Sequence, residues 1–187
     1  MVMFMASSEI IRYKGKQFTV VEVVREVKNR LVKRDLVRRA DGVVVVAVDE
    51  EKNVILLREF CAGAPYPVLS LPGGKVTSNS ASAAREALRE LREETGLVAS
   101  ELIPLHKTYF APSIMERRLY IFLARGLKKA RIMRAKRDTD ILEVVRMPIN
   151  QAIKLLRKDF VTDSTTLGYI LLARLKMRRD CARAHEV

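Results

Sequence analysis

The run Gly42-Val43-Val44-Val45-Val46-Ala47-Val48 is continuously apolar and mostly β-branched. A strand that alternates apolar and polar residues wets one face, whereas an unbroken run of this kind needs cover on both. Turn residues Asp49 to Asn53 follow, and the chain returns as Val54-Ile55-Leu56-Leu57. The pair predicts a buried central hairpin. Ahead of it, Phe18 to Arg38 holds two valine-rich runs around Lys28-Asn29-Arg30, with charges alternating along each run. That pattern predicts a second hairpin with one solvated face.

Downstream, Gly63 to Gly74 is rich in Gly and Pro and ends in Leu71-Pro72-Gly73-Gly74. Ser80 to Thr95 then carries helical periodicity that Gly96 stops. Strands are expected at Leu102 to Phe110 and Leu119 to Ala124, with Ala111-Pro112-Ser113 as the loop between them. Lys128 to Arg137 reads as a basic connection, closed by Asp138-Thr139-Asp140 before the strand Leu142 to Met147. Two helices follow, Ile149 to Lys158 and one capped by Asp163 or Ser164. Strands before, around and after one central helix, with helices at the end, predict an α/β fold in which a mixed sheet lies between helices.

The central helix divides into stripes at about 100° per residue. Ala84, Ala87, Leu88 and Leu91 are expected to be buried; Glu86, Glu90, Glu93 and Glu94 form a second face, and Arg85, Arg89 and Arg92 a third. A surface helix selected for stability alternates charge signs along each face, so four crowded carboxylates suggest a hard cation, against the alternative of a solvated, salt-bridged helix. Mg²⁺ takes one or two carboxylates and keeps several waters. Glu90 and Glu94, one turn apart, suit it, and Arg89 can pair with Glu86 or Glu93 to hold the rotamers.

Composition supplies the setting. Lys and Arg number 35 against 22 acidic residues, a net charge of +13 over 187 residues. Such a balance favours an anionic partner or merely a solvated surface. Two cysteines, Cys61 and Cys181, are too few for a disulfide framework or a structural zinc site. The start lacks the basic residues and long apolar run of a signal peptide, and no segment approaches a membrane span. A cytoplasmic protein with no membrane partner is expected.

The stretch Gly73 to Leu97 resembles the Nudix box, G-x5-E-x7-R-E-U-x-E-E-x-G-U, in which U is aliphatic. Its second half, Arg89-Glu90-Leu91-Arg92-Glu93-Glu94-Thr95-Gly96-Leu97, matches throughout. The resemblance implies a Nudix-type α/β/α sandwich with a mixed β-sheet and an N-terminal β extension. It implies hydrolysis of nucleoside diphosphate derivatives with Mg²⁺ or Mn²⁺. The first half departs: the loop glutamate of the pattern falls at Ser80 counting from Gly74, or at Ala81 counting from Arg89. Glu86, on the face of Glu90, is a candidate to take over part of that charge.

From about Val20 to Leu175 the order of elements is similar to the ADP-ribose pyrophosphatase branch of the family. The supporting pieces are Leu56 to Phe60, the Leu-Pro-Gly-Gly turn, Pro112 after the box, Arg118 to Leu127 and the acidic loop at Asp138 and Asp140. This resemblance implies a homodimer in which residues 1–40 are exchanged, with residues 41–187 as the hydrolase domain. It implies Glu90, Glu94 and the Gly73 carbonyl as metal ligands, with Glu93 as a ligand of a second ion or as base. Asp138 and Asp140 become the other base candidates, against their alternative as an ordinary acidic turn. Arg58, Arg117 and Pro112 fall to the substrate.

Cys61 and Ser70 stand where the branch usually has arginine and glutamate, so ADP-ribose competes with other nucleotide sugars as substrate. With no Trp, adenine stacking would fall to Tyr13, Phe18, Tyr66 or Phe110, all equally readable as core or edge aromatics. His106 reads as a packed or edge residue, His185 as part of a frayed terminus, and Cys61 as a buried small hydrophobe. Two alternatives remain. One is a Nudix enzyme for dinucleoside polyphosphates, oxidised nucleotides or capped RNA; the other is a non-catalytic module binding nucleotide or RNA through the basic clusters Lys128 to Arg137 and Arg174 to Arg183. Neither cluster interleaves aromatics, so nucleic acid is the less favoured partner.

Overall fold

In the computed structural model, residues 6–76, 80–131, 139–158 and 165–184 are described. They fall into two compact units: the described part of Met1–Gly42 with Lys107–Leu119, and that of Val43–His106 with Tyr120–Val187.

The first unit is built on a meander of β1 (Ala6–Lys14), β2 (Thr19–Val27) and β3 (Arg30–Arg38), with β9 (Met115–Glu116) parallel to β3. Lys28 and Asn29 both take positive φ, 51° and 58°, and Val27 pairs with Arg30. Two left-handed residues match the twist of the flanking strands, so the loop is two residues long. Val21 and Val23 of β2 are buried, whereas Ile10, Ile11, Tyr13 and Leu31 are exposed. Arg38 on β3 donates to Glu9 of β1, across β2, at 2.9 Å and to Glu116 of the adjacent β9 at 2.9 Å.

In the second unit the sheet runs β11 (Ile141–Pro148), β5 (Asn53–Glu59), β4 (Gly42–Val48), β10 (Arg118–Lys129), β8 (Leu97–Tyr109). The short strand β6 (Val68–Ser70) pairs with β5, and β7 (Gly73–Lys75) with β4. Alternate residues Val43, Val45 and Ala47 of β4, with Tyr120, Phe122 and Ala124 of β10, share one apolar cluster with Ala83, Ala87 and Leu91 of helix α1 (Ser80–Thr95). The intervening Val46, Val48, Ile121 and Leu123 are equally buried. Of the remaining helices, α2 (Ile149–Leu156) packs against β5, β11 and α3 (Thr166–Ala184), and Ala152, Ile153, Ile170 and Ala173 are buried on them. The result is the α/β/α layering that an all-apolar β4 demands.

Several local expectations change. Leu88 is 39% exposed and Ala83 takes its place in the core. Residues 83, 87 and 91 are spaced by four and line up along the contact, whereas Leu88 is turned about 100° from Ala87 and clears the sheet. The strand expected from Leu102 begins at Leu97, and β10 continues to Lys129 into the expected basic connection. Strands β1, β6, β7 and β9 went unforeseen. Cys61 is partly exposed, not buried, whereas His106 lies exposed on β8, the edge strand of its sheet, in keeping with its edge reading. The expected caps Asp163 and Ser164, and His185, lie outside the described residues.

Candidate active site

Helix α1 ends because Gly96 adopts φ 74° and its amide donates to the Arg92 carbonyl at 2.9 Å. A left-handed glycine just past a helix satisfies the last carbonyls and lets the chain leave directly as β8. Thr95 adds a hydroxyl that donates to the Leu91 carbonyl and accepts the Leu97 amide. The apolar stripe at Ala83, Ala87 and Leu91 seats the helix on the sheet, which leaves its glutamates along the margin facing β7.

The paired glycines of β7 make that approach feasible. A Cβ at Gly73 would collide with the Val43 carbonyl, and one at Gly74 would fall on the Glu90 carboxylate. Gly73 donates its amide hydrogen to Glu94 Oε2 at 2.8 Å. Strand β7 is thus pressed between β4 and α1: at Gly73 the main chain of β4 leaves no room for a side chain, and at Gly74 a side chain would displace the Glu90 carboxylate.

Arg89 is the centre of the acidic face. Its Nε donates to Glu86 at 2.9 Å, Nη1 to Glu93 at 2.6 Å and Nη2 to Glu90 at 2.5 Å. Three carboxylates therefore share a single guanidinium, a formal surplus of two negative charges before Glu94 is counted. Burial pulls the Arg89 pKa down, but its three anionic neighbours outweigh that and raise it. The Glu90 carboxyl is also raised, first by burial, then by Glu93 and Glu86, against the lowering pull of Arg89. An ion pair normally lowers its acid. Here one cation divided three ways does not neutralise the most enclosed carboxylate, whose side chain is only 13% exposed.

Among the described residues no three His, Cys, Asp or Glu side chains converge in metal-binding geometry. Mg²⁺ does not need three, since it commonly binds through one or two carboxylates and retains its waters. The glycine-cleared space beside Glu90, the adjoining Gly73 and Glu94, and the unneutralised charge together suit a hard divalent cation.

The other residues singled out in the sequence are distributed as follows. Arg58 on β5 donates to Glu143, its register partner on β11, at 3.1 Å. Asp140 accepts the Phe60 amide hydrogen through its main-chain carbonyl at 2.8 Å, which leaves its side chain exposed at the start of β11. Asp138 lies outside the described residues, as do the side chains of Ser80 and Ala81. Pro112 and Arg117 belong to the first unit: Pro112 follows Ala111, which has φ 43°, and the Arg117 guanidinium lies beside Gly42. Tyr13 and Phe18 pack on each other at 5.7 Å between ring centroids, and Tyr66 is exposed. The buried Ser70 hydroxyl has no hydrogen-bond partner among the described residues. Sequence reading missed the clearance role of Gly74 and the Glu143 partner of Arg58; the doubled glycine was the available signal for the first, and nothing marked the second.

The model of the NUDIX domain matches residues 38–166. This chain belongs to the Nudix family. Its relatives within the family include the ADP-ribose pyrophosphatase of Bacillus subtilis (strain 168), 29% identical over 165 residues that cover 88% of this chain and 89% of the relative. The ADP compounds hydrolase NudE of Escherichia coli (strain K12) is 26% identical over 164 residues, covering 86% of each. A crystal structure of an ADP compounds hydrolase superposes with a TM-score of 0.77 at 24% identity, covering 95% of each chain. The Nudix fold is thereby shared along nearly the whole length, and the chain is similar to the ADP-ribose pyrophosphatases.

Proposed function

We propose that this Nudix protein hydrolyses the diphosphate bond of a nucleoside diphosphate derivative, ADP-ribose or a related nucleotide sugar, to a nucleoside monophosphate and a second phosphorylated product. The observation that carries the reading is the Nudix helix itself: an unbroken Arg89 to Leu97 motif whose carboxylates meet the main chain of β7 at Gly73 and Gly74. ADP-ribose is the substrate class named for the Bacillus relative.

Glu90 and Glu94, with the Gly73 carbonyl, would hold Mg²⁺ or Mn²⁺, and Glu86 and Glu93 would supply further charge. Such an ion, when bound, lowers the pKa of its water and screens phosphate oxygens. Arg89 keeps the carboxylates in fixed rotamers and carries one positive charge among them. Glu93 takes the proton of the attacking water, with Asp140 and Asp138 as the other base candidates. Arg58 in the second unit, and separately Arg117 and Pro112 in the first, would be the candidate substrate contacts.

Residues 1–40 would form an N-terminal segment exchanged in a homodimer, beside a hydrolase domain of residues 41–187. The exposed Ile10, Ile11, Tyr13 and Leu31 support this, because apolar strand residues of this size are commonly covered by a partner. Size-exclusion chromatography with light scattering tests it; a monomer at micromolar concentration overturns it. A cytoplasmic setting accords with Cys61 and Cys181, which form no disulfide. Among the described residues no helix is long and apolar enough to cross a membrane.

The deciding experiment incubates the protein with Mg²⁺ and a panel of ADP-ribose, other nucleotide sugars, dinucleoside polyphosphates, oxidised nucleoside triphosphates and capped RNA, in parallel with Glu94→Gln. Turnover of a nucleoside diphosphate sugar that Glu94→Gln abolishes supports the reading. Preference for another panel member redirects the substrate assignment, and absence of any turnover overturns catalysis.

A further inference from the structure

The second unit holds a cavity of about 750 Å³ that shares no residue with the acidic helix. It is reached from the Val48 end of β4, whereas β7 and Gly73 meet that strand at Val43 to Val45. Three to five residues of strand put the two places roughly 10–16 Å apart along β4. They also lie on opposite faces of the sheet, because Val48 alternates with the residues that contact α1.

Its lining balances four carboxylates, Asp49, Glu50, Glu101 and Asp180, against four cations, and commitment differs within each set. Asp49 already accepts from the Asn53 amide at 2.8 Å and from Arg146, and Asp180 accepts from Lys176 at 2.7 Å. Arg174 and Arg178, one turn apart on α3, have no partner among the described residues, and Lys52 is exposed at the rim. Arg125 reaches Glu101 and Asp180 only at 3.7 and 3.9 Å, too far for hydrogen bonds. The first turn of α2 has no side-chain cap, and its Ile149 and Asn150 border the same space. The Ile149 amide itself donates to the Lys52 carbonyl at 3.0 Å, so the attraction for a compact anion rests chiefly on the arginines with donors to spare. The volume far exceeds a phosphate ion and falls in the range of small-molecule pockets, and Val48, Ile149 and Met177 add apolar wall.

We propose that this cavity is a second binding site, for an organic phosphomonoester of nucleotide size or smaller, with Arg174 and Arg178 as its phosphate grip. It requires no divalent cation and no carboxylate of α1.

The test is calorimetric titration of the metal-free protein with AMP, ribose 5-phosphate, inorganic phosphate and, as the uncharged control, adenosine. It is run on wild type, on Arg174→Gln/Arg178→Gln and on Glu90→Gln. AMP or ribose 5-phosphate should bind wild type and Glu90→Gln alike, adenosine should not, and the double variant should bind at least about tenfold more weakly. If that variant melts early, Arg174→Lys/Arg178→Lys carries the test: affinity should fall, because an ammonium lacks the two-pronged guanidinium geometry. Equal binding by the arginine variants, no phosphomonoester binding by wild type, or inorganic phosphate binding as tightly as AMP overturns the proposal. Loss of binding in Glu90→Gln also overturns it, by moving the ligand to the acidic helix. Salt-sensitive RNA binding through Arg174 and Arg178 without phosphomonoester binding would assign the surface to nucleic acid instead.

Discussion

The carboxylate of Glu94 accepts the amide hydrogen of Gly73 at 2.8 Å, so the last turn of the acidic helix is anchored to the main chain of β7. A neutral amide oxygen can accept the same hydrogen, which separates the structural role of Glu94 from its charge. Glu94→Gln should therefore melt close to wild type yet lose turnover by about 100-fold or more, if the charge holds a metal ion. Glu94→Ala should lose the same turnover and, in addition, about 1–2 kcal/mol of stability, because the enclosed Gly73 amide loses its acceptor. Thermal melts beside initial rates check both; equal melting of the two variants contradicts the anchoring role.

Gly74→Ala is expected to be more damaging than its size suggests. The new methyl would occupy the place of the Glu90 carboxylate, and on the strand side β7 is backed by β4. Relief requires Glu90 to leave its rotamer or α1 to shift, at about 1–3 kcal/mol. Turnover should fall at least about tenfold even at saturating Mg²⁺. A crystal structure of the variant with Glu90 unmoved would contradict this account.

Arg89→Met removes the cation that Glu86, Glu90 and Glu93 share. Its side chain is 40% exposed, so water screens part of the loss and the cost should be about 1 kcal/mol, not the sum of three buried ion pairs. The three carboxylates then repel one another without the cation they share. Added Mg²⁺ should raise the melting temperature of Arg89→Met more than that of wild type, whereas activity remains low because the rotamers are no longer fixed. An identical Mg²⁺ response in both proteins counts against the electrostatic picture.

Asp49 supplies a pH signature unconnected with the acidic helix. Burial alone would raise its pKa, but the Asn53 amide, the Asn53 side chain and Arg146 together bring it below the ordinary 3.8. A group lowered in the folded state contributes stability that is complete above its unfolded value and is lost as pH falls through the folded one. Wild type should thus lose stability below about pH 4 more steeply than Asp49→Asn, which has no charge to titrate. Denaturant melts between pH 5 and 2.5 test this; parallel slopes would contradict it.

The parts of this molecule that were legible in its sequence are those where one residue pattern has one physical solution. Valine after valine from Val43 to Val46 admits only a strand covered on both faces, and Lys28-Asn29 between two valine runs admits only a tight hairpin loop. Strand β9 is two residues long, and β6 and β7 three each, too short to carry any periodicity. They exist because neighbouring backbones offer ladders, a tertiary property. Leu88 failed for a related reason: helical spacing gives the direction of a side chain but not how far the covering sheet extends. At the acidic helix the carboxylates and Arg89 were readable from spacing. The steric clearance at Gly74 was not, because it depends on how closely β7 approaches α1.

Strand β9 also sets an order of events. Val37 pairs with Met115, and Arg38 with Glu116, a separation of 78 residues, whereas the β2–β3 ladder closes through two. Local ladders form first, since long loops close slowly. During synthesis the open edge of β3 therefore waits until the Nudix helix and the strands after it have been made. A strand edge left exposed for that interval is open to mispairing, so the spacing of β3 and β9 sets how long the growing chain must go without its native cover there.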